Sequence, residues 1–93
     1  MILVWLPKAI KNRDDQIDHI AKDSPKAALD QGDRIEEQIH RLIDYPAMGK
    51  SGRKKGTREM VIGKTPFIVV YRFKPRGKRI EIMRLLHGSQ QYP

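Results

Sequence analysis

The chain has no cysteine, and its three histidines (His19, His40 and His87) lie far apart in the sequence. Without thiols it can form neither a disulfide framework nor a thiolate metal site. The spacing of the histidines offers no local metal-binding motif either. We therefore expect no metal and no cofactor, and the absence of cysteine fits a reducing compartment such as the cytoplasm.

Long hydrophobic runs are also missing. The apolar segment at residues 1–6 (MILVWL) is followed at once by Pro7 and Lys8. It is far too short to span a membrane, and it lacks the basic leader and longer apolar core of a signal peptide. Because 93 residues can build only one small core, we expect a soluble protein with a single domain over residues 1–93.

Acidic residues are scarce in the second half of the chain. Residues 50–93 contain 12 Lys and Arg but only two acids, Glu59 and Glu81, whereas residues 1–49 contain 7 basic and 9 acidic residues. Such an asymmetry indicates a surface for a polyanion, either a nucleic acid or an acidic protein. The alternative is a basic face that is simply solvated.

Residues 56–73 (GTREMVIGKTPFIVVYRF) predict a β-hairpin at the centre of a sheet. Its second strand, residues 67–73, is rich in β-branched and aromatic residues and is apolar on both faces, which is typical of a central strand. The connection at residues 63–66 carries Gly and Pro, which interrupt a strand ladder. Further strands are predicted at residues 1–6 and 79–87.

Two helices are predicted before the hairpin. The apolar residues between 8 and 21 fall on one face of a helix. Ser24 followed by Pro25 is typical of an N-cap and first helical position, and the apolar stripe of this second helix continues to Leu42 and Ile43. Residues 47–56 (AMGKSGRKKG) have no periodicity and predict a mobile loop.

These elements predict an α+β fold in which two N-terminal helices pack on a small, mainly antiparallel sheet of about four strands. The helix residues expected in the core are Ile17, Ile20, Ile35, Ile39 and Leu42. The sheet face expected to receive them carries several of Val4, Val61, Ile68, Val70 and Ile82.

Several short motifs occur in a fixed order along the chain. They are Trp5 in the first strand, SPKAA at 24–28, YPAMGK at 45–50, GTRE at 56–59, VVYR at 69–72 and RLLHGSQQYP at 84–93. In this order they resemble the RelE/ParE superfamily of toxins from bacterial type II toxin–antitoxin modules, over nearly the whole chain. The resemblance implies two helices against a small antiparallel sheet, and a toxin held silent by a cognate antitoxin in a hetero-oligomer.

The superfamily contains two mechanisms, between which a shared fold does not decide. RelE-like members cleave mRNA in the ribosomal A site, whereas ParE-like members poison DNA gyrase and are not nucleases. Metal-free RNA cleavage needs proton-transfer groups beside fixed cations, and the basic half of the chain with His87 can supply both. We therefore favour a ribosome-dependent mRNA endoribonuclease, with ParE-like inhibition of DNA gyrase as the alternative.

The nuclease hypothesis assigns catalytic roles to His87, Arg58, Arg84 and Tyr92. By its spacing from Arg84, His87 is similar to the histidine near the C-terminus that serves catalysis in a RelE-like toxin. The two arginines would contact the scissile phosphate, and Tyr92 would stack on a base or assist proton transfer. The residues expected to bind RNA are Lys50, Arg53, Lys54, Lys55 and Arg72.

The chain also departs from both subgroups. It has Gly63 and residues 88–89 (GS) where RelE has arginines, and residues 90–91 (QQ) where ParE-like endings carry a Met-Asp pair. In a regular strand Arg84 and His87, three residues apart, point to opposite faces. They would share one site only if the chain bends near Leu86.

Overall fold

Five strands form one sheet in the computed structural model, which describes residues 1–92. In chain order the elements are β1 (Ile2–Trp5), α1 (Pro7–Asp23), α2 (Pro25–His40), a 3-10 turn (Arg41–Ile43), β2 (Lys50–Ser51), β3 (Arg58–Val61), β4 (Phe67–Lys74) and β5 (Arg79–His87). The strand order is β1-β5-β4-β3-β2, in which β1 is parallel to β5 and the other neighbours are antiparallel. The predicted α+β fold is confirmed, with β4 at the centre and five strands instead of about four.

Helix α2 begins where the sequence places it, and α1 begins at Pro7, one residue before the predicted start. The Ser24 hydroxyl accepts a 3.1 Å hydrogen bond from the Ala27 amide, and Pro25 occupies the first turn of α2. The predicted end of this helix was wrong, because the chain tightens after His40 into the separate 3-10 turn. Leu42 in that turn is nevertheless fully buried. Within residues 1–92, neither helix is long and apolar enough to cross a membrane.

A β-bulge in β5 determines which of its residues face the helices. Tyr71 pairs with Ile82 and Val70 pairs with Arg84, so Met83 has no partner in β4. In a regular strand Ile82 and Leu85, three residues apart, would face opposite sides of the sheet. The extra residue shifts the alternation of side chains in β5 by one position, so Ile82 and Leu85 both face the helices and are fully buried in the core.

The core lies between the helices and the sheet face that carries Phe67, Val69 and Tyr71. Three of the predicted helix residues belong to it, and two others pack against it while partly buried. The three are Ile35, Ile39 and Leu42, and the two are Ile17 and Ile20.

The predicted sheet face of the core was wrong for most of its residues. Ile82 does belong to the core, but Val61 is 64% exposed. Val70 pairs with Glu59 on the opposite face of the sheet, and Ile68 and Val4 alternate onto that same face. The reason is that β4 is apolar on both faces, so its alternation does not indicate which face meets the helices.

The face of the sheet away from the helices is covered by other parts of the chain. Val70 and Leu86 are almost fully buried there. The loop after β2 lies over this face through contacts to Glu59, and the segment after β5 folds back so that Gln90 accepts a 2.6 Å hydrogen bond from the His87 amide. The segment predicted as a mobile loop, residues 47–56, therefore contains β2 and has defined contacts.

Candidate functional site

Four of the predicted site residues meet on the face of the sheet away from the helices. The ring of Tyr92 is contacted by two guanidinium groups, with Arg53 Cζ at 5.3 Å and Arg84 Cζ at 5.6 Å from the ring centroid. Lys54 lines the adjoining cavity of about 510 Å³ together with Arg84 and Tyr92. We call Arg53, Lys54, Arg84 and Tyr92 the Tyr92 cluster.

Arg53 is positioned by Glu59, a buried residue of β3. The Arg53 amide donates to Glu59 Oε2 at 2.8 Å, and Arg53 Nε lies 3.1 and 3.2 Å from the two carboxylate oxygens. Burial alone would raise the pKa of Glu59, but the hydrogen bonds and charge of Arg53, with the charge of Lys50, lower the pKa below its ordinary value. The carboxylate is therefore ionised at neutral pH and fixes the loop that carries Arg53 and Lys54.

Arg84 is positioned by helix α1. Its Nε donates to Asn12 Oδ1 at 2.9 Å, and the same oxygen accepts the Leu85 amide at 3.2 Å. Strand β1 ends at Trp5, which pairs with Ile82, so the edge of β5 after Ile82 has no neighbouring strand. Asn12 supplies the acceptor that the Leu85 amide would otherwise lack at this edge. The Tyr92 cluster thus joins the sheet, the loop after β2, the C-terminal segment and α1.

Two residues of this region were missed by the sequence analysis. Lys8, in the first turn of α1, lines the same cavity, and Asn12 holds Arg84. The cavity is lined by the apolar residues Leu6, Pro7 and Met83 as well as by cations. Such a cavity suits a partner segment that presents carboxylates together with apolar side chains. Sequence alone gave no signal for either residue, because both belong to a helix assigned only to the core.

Arg58 lies on the helix-facing side of the sheet, where its side chain binds a backbone carbonyl. It pairs with Tyr71 across the ladder, and its Nη1 donates to the Gly49 carbonyl at 2.7 Å. The Tyr71 hydroxyl donates to the Pro46 carbonyl and accepts the Gly49 amide, each at 2.8 Å. Burial raises the pKa of Tyr71 against the opposing effects of the Gly49 amide and the Arg58 charge. Arg58 thus helps to hold the loop before β2.

Gly49 is required by this close approach. A Cβ atom built there would lie 2.7 Å from the Tyr71 hydroxyl and 2.9 Å from the Glu59 carbonyl oxygen, too close for any side chain. The loop that it anchors exposes Tyr45 (65%) and Met48 (45%) around an apolar depression. These side chains form a second candidate contact surface next to the anchored loop.

His87 is at the helix-facing side, opposite Phe67 in the ladder, whereas Arg84 pairs with Val70 on the other face. The His87 ring packs edge-on against Phe67 at 6.2 Å, and its Nδ1 lies 2.8 Å from the Ser89 hydroxyl. The chain does not bend enough at the end of β5 to bring Arg84 and His87 to one face. The predicted catalytic residues therefore contact different partners, and of the four only Arg84 and Tyr92 touch each other in the described part of the chain.

Arg72 belongs to a third group of charges, around Glu81. Arg72 Nη2, Lys74 Nζ and Arg79 Nε lie 2.9, 3.5 and 3.1 Å from its carboxylate oxygens. Burial would raise the pKa of Glu81, but the Arg72 hydrogen bond and the three positive charges lower the pKa below its ordinary value. Of the remaining predicted residues, Lys50 pairs with Glu59 across β2 and β3, and Lys55 is exposed in the loop.

Comparison with known proteins gives consistent results. A family model described as the ParE toxin of the type II toxin–antitoxin system parDE matches residues 3–92. The protein Y4kP of Sinorhizobium fredii is 37% identical over 89 residues, which cover 96% of this chain and 90% of that protein. A chain in the structure of the chromosomal ParDE TA system from P. aeruginosa superposes with a TM-score of 0.81 and 30% identity, covering 94% of this chain and 95% of that one.

Proposed function

Because the chain belongs to the family of ParE toxins of type II toxin–antitoxin systems, we propose that it arrests growth by inhibiting DNA gyrase. The observation that carries this proposal is the family match over residues 3–92, supported by the likeness to the ParDE structure along 94% of the chain. ParE-like toxins, as the resemblance described above implies, poison gyrase and are not nucleases. Inhibition of DNA gyrase is therefore favoured over cleavage of mRNA.

The geometry of the predicted catalytic residues gives the mRNA nuclease less support. A general acid or base and the cations that stabilise the phosphate must reach the same few atoms of the substrate. His87 bonds to Ser89 and Arg58 bonds to the Gly49 carbonyl, on the helix-facing side, while Arg84 lies on the opposite face. A gyrase inhibitor requires no such assembly of proton-transfer groups.

The proposed partner in the resting state is a cognate antitoxin with an acidic, partly apolar segment. The cations Lys8, Lys54 and Arg84 line the same cavity as apolar side chains, so a segment that offers only charge or only apolar surface would leave part of the cavity lining unmatched. A disordered antitoxin tail could fold over this face on binding. Its carboxylates would neutralise the basic half of the toxin.

A supercoiling assay tests the gyrase proposal. Purified toxin should block the supercoiling of relaxed plasmid by DNA gyrase, and prior addition of the antitoxin should abolish this inhibition. Primer extension on mRNA from cells that express the toxin should show no codon-phased cuts. Full supercoiling in the presence of excess toxin, together with cuts in mRNA, would reverse the assignment in favour of the nuclease.

The antitoxin proposal is tested by a matched pair of variants that each remove two positive charges. Lys54→Gln/Lys55→Gln alters one member of the Tyr92 cluster and its exposed neighbour, and Lys22→Gln/Lys26→Gln alters two exposed residues that flank the turn between the helices. The Lys54/Lys55 variant should bind the antitoxin more weakly, mainly because association is slower, and its affinity should depend less on salt. The Lys22/Lys26 variant should keep an affinity and a salt dependence close to those of wild type. Equal behaviour of the two variants would show that the antitoxin binds elsewhere.

A further inference from the structure

The turn between β4 and β5 concentrates positive charge at one end of the sheet. Five basic residues lie within eight positions, and three of them are exposed. The turn is closed by a hydrogen bond from the Lys78 amide to the Pro75 carbonyl at 3.1 Å, with Lys78 in the left-handed region at φ 47°. We call these five residues the basic hairpin tip: Arg72, Lys74, Arg76, Lys78 and Arg79.

The basic hairpin tip is organised by one buried carboxylate that does not neutralise it. Glu81 is only 7% exposed, and three of the five cations converge on its two oxygens. The shared carboxylate holds these side chains in place while four positive charges remain in excess. Arg72 Nε is buried without a hydrogen-bond acceptor in the described part of the chain. A cation cluster fixed in advance loses less side-chain entropy when an anion binds to it.

The tip is separate from the Tyr92 cluster. Arg79 and Arg84 are five residues apart along β5, which corresponds to about 15 Å in a strand. The exposed apolar side chains Tyr45 and Met48 belong to the loop before β2, not to the tip. Protein interfaces have apolar centres that are poor in lysine, whereas interfaces with nucleic acid are rich in positive charge. The composition of the tip therefore favours a phosphate backbone over an acidic protein.

The lack of an aromatic platform favours a duplex over a single strand. Proteins that bind single-stranded nucleic acid stack bases on exposed aromatic rings. The aromatic residues of β4, Phe67, Tyr71 and Phe73, all lie on the helix-facing side, where the first two are buried in the core and Phe73 packs against it. A duplex keeps its bases stacked inside and presents two rows of phosphates, which cations can contact without any base contact.

We propose that the basic hairpin tip binds the phosphate backbone of duplex DNA. The choice of DNA rests on the proposed function, because DNA gyrase acts while it holds a duplex. A toxin that contacts both the enzyme and its DNA would be retained where the two are joined. Binding by the tip is independent of sequence, since its contacts are to phosphates.

The test measures binding of purified toxin to a fluorescently labelled 20-base-pair duplex by anisotropy, in the absence of gyrase, at several salt concentrations. The variant Arg76→Gln/Lys78→Asn removes two exposed charges, and Asn tolerates the left-handed backbone of position 78. Lys22→Gln/Lys26→Gln removes two exposed charges that flank the turn between the helices and serves as the control. Circular dichroism and urea unfolding establish that both variants fold.

The tip variant should bind the duplex at least tenfold more weakly than wild type, and the slope of log K against log salt should fall by about 2. The control should lose less than threefold. The proposal is overturned if wild type does not bind the duplex at about 50 mM salt, a concentration at which such contacts are strong. It is also overturned if both variants lose affinity equally, or if the tip variant loses affinity for polyglutamate or single-stranded RNA but not for the duplex.

The same variants separate this proposal from the gyrase proposal. If wild type binds the duplex, the tip variant does not, and the toxin leaves supercoiling unaffected, inhibition of gyrase is refuted and the proposed DNA-binding site is supported. Inhibition of gyrase that is equal for wild type and tip variant, with no duplex binding by either, would keep the proposed function and refute the DNA site.

Discussion

The hydroxyl of Tyr71 connects the sheet to the loop that precedes β2, and Tyr71→Phe should therefore destabilise the fold. The side chain is fully buried, and its hydroxyl both donates to the Pro46 carbonyl and accepts the Gly49 amide at 2.8 Å. Phenylalanine fills the same space but leaves these two backbone groups without their partner. The substitution thus tests hydrogen bonding with little change in packing.

An unpaired buried polar group costs about 1–3 kcal/mol, and the Pro46 carbonyl is only partly buried, so we expect a loss of about 2–4 kcal/mol. With a urea slope of about 1–2 kcal/mol per M for a chain of this size, the unfolding midpoint should fall by roughly 2 M. Tyr45→Phe is the matched control, because Tyr45 is 65% exposed and its hydroxyl can bond to water. A loss below about 0.5 kcal/mol for Tyr71→Phe, or an equal loss for both variants, would refute the reasoning.

The same residue gives a second readout at alkaline pH. Folding raises the pKa of Tyr71 because burial disfavours the phenolate. Above the ordinary tyrosine pKa of about 10 the unfolded chain loses this proton while the folded chain keeps it, so stability falls as pH rises. The decline in stability between about pH 10 and the folded pKa should be shallower in Tyr71→Phe than in Tyr45→Phe. Parallel pH profiles for the two variants would contradict a buried, hydrogen-bonded hydroxyl.

Three further predictions concern the acid limb, the core and the proposed mechanism. Folding lowers the pKa values of Glu59 and Glu81, so their ionised carboxylates stabilise the fold above the ordinary glutamate pKa of about 4.3. This stabilisation is lost as the pH falls from about 4.3 to the lower pKa values of the folded state. Urea unfolding from pH 6 to pH 3 should show this loss, and Glu81→Gln should reduce it; an unchanged acid limb would contradict the role of the carboxylate. Leu42→Ala should cost about 2–5 kcal/mol because the side chain is fully buried, whereas Leu29→Ala, at a position that is 71% exposed, should change stability by less than about 0.5 kcal/mol. His87→Ala should still arrest growth and inhibit supercoiling; loss of toxicity by a folded variant, together with loss of A-site cuts seen in wild type, would restore the nuclease hypothesis.

The candidate site was only partly predictable. The sequence assigned site roles to Arg53 and Lys54 because of the charge of the basic half, and to Arg84 and Tyr92 because of the motif at residues 84–93; the structure brings these four residues together. It also grouped them with Arg58, which lies on the other face of the sheet. The grouping failed because charge and motif order do not indicate which face of a strand a residue occupies.

The sequence by itself determined both helices and four of the five strands, in their order along the chain. Ser24-Pro25 defined the start of α2, the GKTP connection at residues 63–66 defined the hairpin, and the doubly apolar strand was correctly placed at the centre of the sheet. These signals are local, since a cap, a turn or a run of β-branched residues acts within a few positions of the chain.

Only the tertiary structure decided which side of that sheet became the core. The bulge at Met83 shifts the alternation of β5 by one residue, and the strand pairing then places Ile82 and Leu85 under the helices and Arg84 on the opposite face. On that face, the loop after β2 and the C-terminal segment bring Arg53 and Tyr92 to Arg84. These residues are distant in sequence, and their meeting depends on register and loop paths, which arise from the packing of the whole chain and leave no local pattern.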